Sequence, residues 1–267
     1  MRTRLQQADK IVIKVGTNTL THANGKMNLR SMELLVREIA ELVNAGRKVI
    51  LVTSGAVGVG LGKLNLMKKP RNLAARQVLA SVGQCELMHI YSKLFSEYSI
   101  TVGQILLTRD VTENPVKAEN AYNTFKGLMD MGIVPIVNEN DAISTDQLAI
   151  VDSFGDNDTL SAMVAKLIKA DLLIILSNID GLYDKDPNIN EDAKIVDTVT
   201  EINKEIESYA SDLTSSLGRG GMKTKLTAAK TCLENDITMA IINGDNMKNI
   251  SALLDGDNIG TLFTNKR

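Results

Sequence analysis

A chain of 267 residues with 44% hydrophobic and 23% charged side chains can bury a large core and has the balance of an ordinary globular protein. Its net charge of −2 and 3% aromatic content exclude the basic, aromatic-studded face used to bind nucleic acid, so no nucleic-acid partner is expected. Two cysteines and two isolated histidines are too few for a disulfide framework or a zinc site; Cys85 and Cys232 are expected as buried reduced thiols, and His22 and His89 as surface or satisfied core residues.

The N-terminus, Met1 to Lys10, is polar and passes into a strand without the apolar segment of a signal peptide. The longest apolar run, 172–176, is far too short to span a bilayer, so a cytoplasmic protein with no membrane partner is expected. Residues 11–15 form the first expected strand, which ends in Lys14-Val15-Gly16-Thr17. A helix over 29–44 follows, with Leu29, Met32, Leu35, Val36, Ile39, Leu42 and Val43 on one face and Gly46 suited to its C-terminal cap. A strand at 49–52 ends in Thr53-Ser54-Gly55-Ala56. Helices at 73–96 and 118–131 bracket a strand at 102–107, and another strand occupies 133–137. A helix over 159–168 has Asp158 as its expected N-cap. Strands at 172–176 and 239–242, shorter ones at 194–196 and 261–263, and helices at 222–233 and 249–254 complete the set.

The long strands are continuous apolar runs rather than alternating ones, as in a parallel sheet covered on both faces. The expected fold is therefore α/β: a three-layer αβα sandwich with an open, mainly parallel sheet of about eight strands. With four prolines and no composition break, residues 1–267 are expected to form a single domain. The eleven methionines are core filler.

Two segments pair glycines with a lysine. One is Lys14-Val15-Gly16-Thr17; the other, Gly218-Arg219-Gly220-Gly221-Met222-Lys223-Thr224-Lys225, runs into a helix. Glycines let backbone N–H groups converge on an anion, and lysine adds a mobile point charge, so the pair points to polyphosphate chemistry. The run from Gly55 to Lys63 resembles familiar nucleotide motifs but fails each one. Gly58, Gly60 and Gly62 misplace the third glycine of a dinucleotide fingerprint, and Val57 and Leu64 break a P-loop. Protein-kinase triplets are absent too.

Ser54 and the N–H groups after it are placed to hold a carboxylate or phosphate beyond a strand end; a plain strand-to-helix turn explains the same residues equally well. Asn138-Glu139-Asn140-Asp141 and Gly155-Asp156-Asn157-Asp158 lie at further strand ends. Read alone they are solvated turns or caps; beside the lysine elements they suit an amino acid, whose ammonium and carboxylate need opposite partners. Ser177-Asn178-Ile179-Asp180-Gly181 leaves a strand for a loop suited to an adenosine, or forms a surface turn.

Together these motifs, with Asp180-Gly181-Leu182-Tyr183 and Val82-Gly83-Gln84, resemble the amino acid kinase family, and within it the members that phosphorylate free glutamate in the first step of proline synthesis. The resemblance covers almost the whole chain in order. It implies the eight-stranded fold, a glutamate-binding N-terminal half and an ATP-binding C-terminal half, and it leaves no room before Arg267 for the PUA domain many relatives carry. Two positions depart from the family pattern: Arg219 stands where threonine is usual, and Asn178 where aspartate is frequent.

The resemblance also implies roles. Lys14, with N–H groups around Gly16, serves the transferring phosphoryl group. Lys225 serves the leaving β–γ side with Gly218, Arg219, Gly220, Gly221, Met222, Lys223 and Thr224, while Ser177 and Asn178 contact the nucleotide. Asp158 holds the lysines apart, so that two ammonium groups from opposite ends of the chain meet in one cleft. Ser54, Gly55, Asn138, Asp141, Asp156 and Asn157 hold glutamate, with Asp141 on the α-ammonium. The glutamate carboxylate, with an unperturbed pKa near ~4.3, is already an anionic nucleophile, so no general base is needed. ATP and Mg²⁺ are the expected cofactors, with no protein residue named for the metal. Proline is implied as feedback inhibitor, a glutamyl phosphate reductase as a partner, and a homodimer or homotetramer as the assembly. Residues 112–123 are expected as a mobile or intersubunit loop. A kinase for acetylglutamate or aspartate, and a silent amino-acid sensor, are the competing readings.

Overall fold

The computed structural model describes residues 2–22, 24–66, 68, 70–108, 110–143, 157–212 and 221–265. After a 3₁₀ turn at Arg2–Gln7 come β1 (Lys10–Lys14), α1 (Thr17–Leu20), α2 (Leu29–Asn44), β2 (Lys48–Val52), α3 (Ala56–Lys63), α4 (Leu73–Ser96) and β3 (Val102–Leu107). Then follow α5 (Asp110–Glu113), α6 (Pro115–Asp130), β4 (Val134–Glu139), α7 (Asn157–Ile168), β5 (Leu172–Ser177), β6 (Thr198–Val199), α8 (Lys204–Asp212), α9 (Met222–Glu234), β7 (Thr238–Asn243), α10 (Asn249–Asp255) and β8 (Thr261–Phe263). The chain packs as two compact units, one of Met1–Lys14 with Asp156–Arg267 and one of Val15–Gly155.

In the first unit β1 pairs in parallel with β5, and β5 with β7; β8 runs antiparallel to β7, and β6 runs parallel to β8. In the second unit β4 lies between β3 and β2, all parallel. The strands described thus number eight and are mainly parallel, as expected from the unbroken apolar runs. Successive residues of a strand point to opposite faces, and Ile11, Val12 and Ile13 of β1 and Leu172 through Ile175 of β5 are all inaccessible to solvent. Both faces of these strands are therefore covered, which requires helices on each side.

Asparagine caps set where several helices begin. Asn28 Oδ1 accepts from the Ser31 N–H, Asn72 from Ala75 at 2.7 Å, and Asn114 from Val116 and Lys117. Pro115 follows Asn114 at the first turn of α6, where its missing N–H costs nothing. That cap starts the helix three residues earlier than the periodicity suggests. The segment 112–123, expected as a mobile or intersubunit loop, is accordingly in α5 and α6.

Three further expectations are corrected. Residues 194–196 form no strand; only Ile195 bridges to Tyr183, and the paired strand is β6, two residues on. The apolar signal there is too short to fix a register. Cys85 is exposed, because α4 turns it away from the face that buries Gln84 and Leu87. Cys232 is buried as expected, and burial pushes its thiol up to about 12. The third correction, to Asp158, belongs to the site below.

The second unit depends on backbone contact between α3 and α4. A Cβ built on Gly83 would lie 1.8 Å from the Ala56 carbonyl oxygen, and one on Gly60 would lie 2.0 Å from that of Leu79. Only hydrogen fits at either position. Gly83→Ala is expected to lower stability by ~3 kcal/mol, the upper end of overpacking costs, and the melting temperature by roughly 6–12 °C in thermal unfolding.

Candidate active site

In the first unit three charged side chains from three elements converge out of water. Lys14 ends β1, Asp158 is the second residue of α7, and Lys225 lies in the first turn of α9. Helix α7 packs on both β1 and α9, which brings the three together. Lys14 Nζ lies 2.6 Å from Asp158 Oδ1, and Lys225 Nζ lies 3.0 Å from Asp158 Oδ2. Asp158 is wholly buried and the two lysine side chains are 8% and 11% exposed.

Burial pushes the Asp158 pKa up, but the charges and hydrogen bonds of Lys14 and Lys225 outweigh it and hold the carboxyl well below the usual carboxylate range. The group is a carboxylate at any physiological pH. The three charges sum to one positive, at the N-terminal ends of two helices whose dipoles add to it. Such a place attracts an anion.

The sequence predicts Asp158 as the N-cap of its helix. It sits instead inside the first turn, because α7 starts at Asn157 and the lysines claim its carboxylate. Its backbone carbonyl accepts from Ser161 Oγ at 2.6 Å. The Thr224 hydroxyl lies 3.2 Å from Asp158 Oδ2 and 2.9 Å from the Gly221 carbonyl, so its single proton serves one or the other. Gly221 caps α9, Met222 is buried, and Lys223 points to solvent. Ser177 is buried at the end of β5, and exposed Asn178 follows it. Asn157 is buried beside Asp158. Asp156, Gly218, Arg219 and Gly220 lie outside the described residues.

The second unit carries the other candidates. Ser54 Oγ donates to the Val15 carbonyl at 3.2 Å and lies 3.2 Å from Thr17 Oγ1. Gly55 adopts φ 92°, a left-handed conformation that turns the chain from the end of β2 into α3 and that favours glycine. Thr53, just before, meets the buried Tyr91 hydroxyl at 3.0 Å. Burial pushes that phenol's pKa upward and the Thr53 bond opposes it, so Tyr91 stays neutral. Asn138 at the end of β4 donates to Gln84 Oε1 at 2.8 Å and accepts from the Glu139 N–H at 2.9 Å. Asp141 lies in the turn after β4, and Gly16 precedes α1. Thr17, Gln84 and Tyr91 are the residues that sequence reasoning left without a role. Thr17 and Gln84 stood inside quoted motifs, whereas nothing in the local sequence sets Tyr91 apart from a core aromatic.

No group of three or more His, Cys, Asp or Glu side chains able to hold a metal occurs among the described residues. Both oxygens of Asp158 face lysines. These residues therefore supply no carboxylate cage for Mg²⁺. No helix among the described residues is long and apolar enough to cross a membrane.

Residues 9–243 match the amino acid kinase family, and the chain belongs to it. Among curated relatives it is 53% identical over 267 residues to the glutamate 5-kinase of Clostridium perfringens, covering 100% of this chain and 99% of that one. It is 49% identical over 267 residues to the glutamate 5-kinase of Listeria monocytogenes serovar 1/2a, covering 100% and 97%. In fold it is similar to the UMP kinase of Bacillus anthracis, with a TM-score of 0.64 at 14% identity over 97% of each chain. It is likewise similar to the isopentenyl phosphate kinase of T. acidophilum, with a TM-score of 0.63 at 17% identity over 95% of this chain and 99% of that one.

Asp158→Asn leaves two buried ammonium groups without their counter-charge and is expected to cost ~3–5 kcal/mol at pH 7 by urea unfolding. Because the folded pKa is depressed, this contribution is fully present above the unfolded value of ~3.9 and is lost as pH falls toward the folded value. The stability gap between wild type and variant is therefore expected to stay constant from about pH 5 to 8 and to narrow below about pH 4.

Proposed function

We propose that this chain transfers the γ-phosphoryl group of ATP to the side-chain carboxylate of L-glutamate, the glutamate 5-kinase reaction that opens proline synthesis. The observation that carries the chemistry is the pair of lysines held on opposite oxygens of one buried aspartate. The acceptor is supported by the near-full-length similarity to glutamate 5-kinases.

The glutamate carboxylate oxygen forms a bond to the γ-phosphorus as the bond from that phosphorus to the β–γ bridging oxygen breaks. ADP departs with the electron pair. No proton leaves the nucleophile, since a carboxylate is anionic at neutral pH. What opposes the reaction is the repulsion between two anions, and catalysis rests on positioning and on charges fixed in advance.

Lys14 stabilises charge on the transferring group, and Lys225 stabilises charge growing on the leaving side. Asp158 acts through both lysines: by occupying one face of each ammonium group it holds the two nitrogens at set positions. Ser54, Gly55, Asn138, Asp141 and Asn157 bind glutamate, with Asp141 opposite the α-ammonium. Mg²⁺ bound with ATP would supply neutralisation of phosphate charge, and the described residues offer no carboxylate cluster to hold it. Proline inhibits by competing for the glutamate residues, the active form is a dimer or tetramer, and the labile acyl phosphate passes to a reductase; the family resemblance supports these three.

The test is ADP release with glutamate, N-acetylglutamate and aspartate as acceptors. Glutamate alone is expected to support turnover; ADP release with none of them would mean a silent binding protein. Lys14→Ala is expected to lower kcat at least ~100-fold with an unchanged unfolding profile. Asp141→Ala is expected to raise the glutamate KM by about tenfold or more with a much smaller effect on kcat, since it removes a charged hydrogen bond to the bound substrate.

A further inference from the structure

Two buried amides in the unit Val15–Gly155 have their orientation dictated by a backbone donor. The Glu139 N–H can only donate, and it lies 2.9 Å from Asn138 Oδ1. Asn138 therefore presents its NH₂ group to Gln84, at 2.8 Å, and Gln84 must meet it with Oε1. Turning Gln84 over would set two NH₂ groups face to face. Gln84 Nε2 is consequently the atom left over. It is buried, in a residue only 8% exposed, and it has no hydrogen-bond partner among the described residues.

A buried NH₂ group without an acceptor is destabilising and rare in native folds, so its retention calls for an explanation. Its position supplies one. Asn138 is the penultimate residue of β4, and the pairing of Val52 with Val137 carries β2 alongside it, so Thr53 and then Ser54 emerge from the neighbouring strand. Gly83, next to Gln84, packs against the carbonyl of Ala56, the first residue of α3. Two turns further along α4, Tyr91 bonds Thr53. One face of α4 thus braces the ends of both strands, and Gln84 reaches the end of β4 from that face, one residue after the close approach of Gly83 to α3.

We propose that Gln84 is a substrate-binding residue whose Nε2 donates to a carboxylate oxygen of the amino-acid substrate. This rests on the reading that Ser54, Gly55, Asn138 and Asp141 of the same unit bind glutamate. The chain from the Glu139 N–H through Asn138 to Gln84 ensures that the side chain offers its NH₂ group and never its carbonyl. A neutral donor of this kind favours an anionic oxygen without bringing a further buried charge, and it disfavours a ligand that offers only donors.

Steady-state ADP release by the full chain, together with the shift in unfolding temperature that L-glutamate produces, tests the assignment. Gln84→Met keeps the volume and removes the donor. It is expected to raise the glutamate KM about 10- to 100-fold, leave the ATP KM unchanged, and leave the ligand-free unfolding temperature equal or higher. Gln84→Glu is the second variant. One of its oxygens still accepts from Asn138 while the donor is replaced by an acceptor, so glutamate binding is expected to weaken at least as much as in Gln84→Met. A Gln84→Met enzyme with wild-type glutamate KM would overturn the proposal. So would a fall in ligand-free stability with glutamate affinity intact, since that is the mark of a purely structural amide. Failure of the wild type to respond to glutamate at all would instead remove the glutamate reading, and this assignment with it.

Discussion

A carboxylate stripped of water and shared between two lysines is the constraint around which the first unit is organised. Alone, each of the three groups would be intolerable where it sits; burying an unpaired charge costs far more than a domain's whole stability margin permits. Together they are tolerable because each ammonium takes a different oxygen of Asp158. The same arrangement leaves one positive charge uncompensated within the triad and keeps two nitrogens apart that would otherwise repel. It resembles a site prepared for a polyanion more than a device for stability, since buried ion pairs add little to stability compared with apolar packing.

The second unit solves a different problem. Short polar turns must leave the ends of parallel strands in fixed directions, and loops of that kind are floppy unless something braces them. Here α4 braces them from one side. Gly60 and Gly83 let α3 and α4 approach until backbone meets backbone, while Gln84 and Tyr91, seven residues apart, reach Asn138 and Thr53 at two strand ends. Small residues provide the closeness and polar ones provide the direction.

The places where expectation and structure part are instructive because each has a local cause. Residues 194–196 carry a strand's composition in too few residues to hold a register, and the pairing settles on Thr198–Val199. Asp158 has the chemistry of an N-cap, yet two lysines distant in sequence outcompete the helix for its oxygens. Residue type alone points to burial for Cys85, but exposure on a helix follows the angle around its axis, which a lone cysteine does not reveal. Proline after asparagine marked the start of α6 more sharply than the apolar spacing did.

Sequence alone determined the α/β class, the bounds of helices such as Leu29–Asn44 and Leu73–Ser96, and the motifs that tie the chain to its family. Those features are local: apolar runs, caps and glycine turns act over a few residues and leave their trace in the order of the letters. Only the folded chain decided which oxygen each lysine takes, that Thr224 joins them, and that Gln84 holds a donor with no acceptor among the described residues. These depend on distances between residues remote in sequence and on which amide faces which, and hydrogen-bond direction is a property of atoms in space that a string of residue names does not carry.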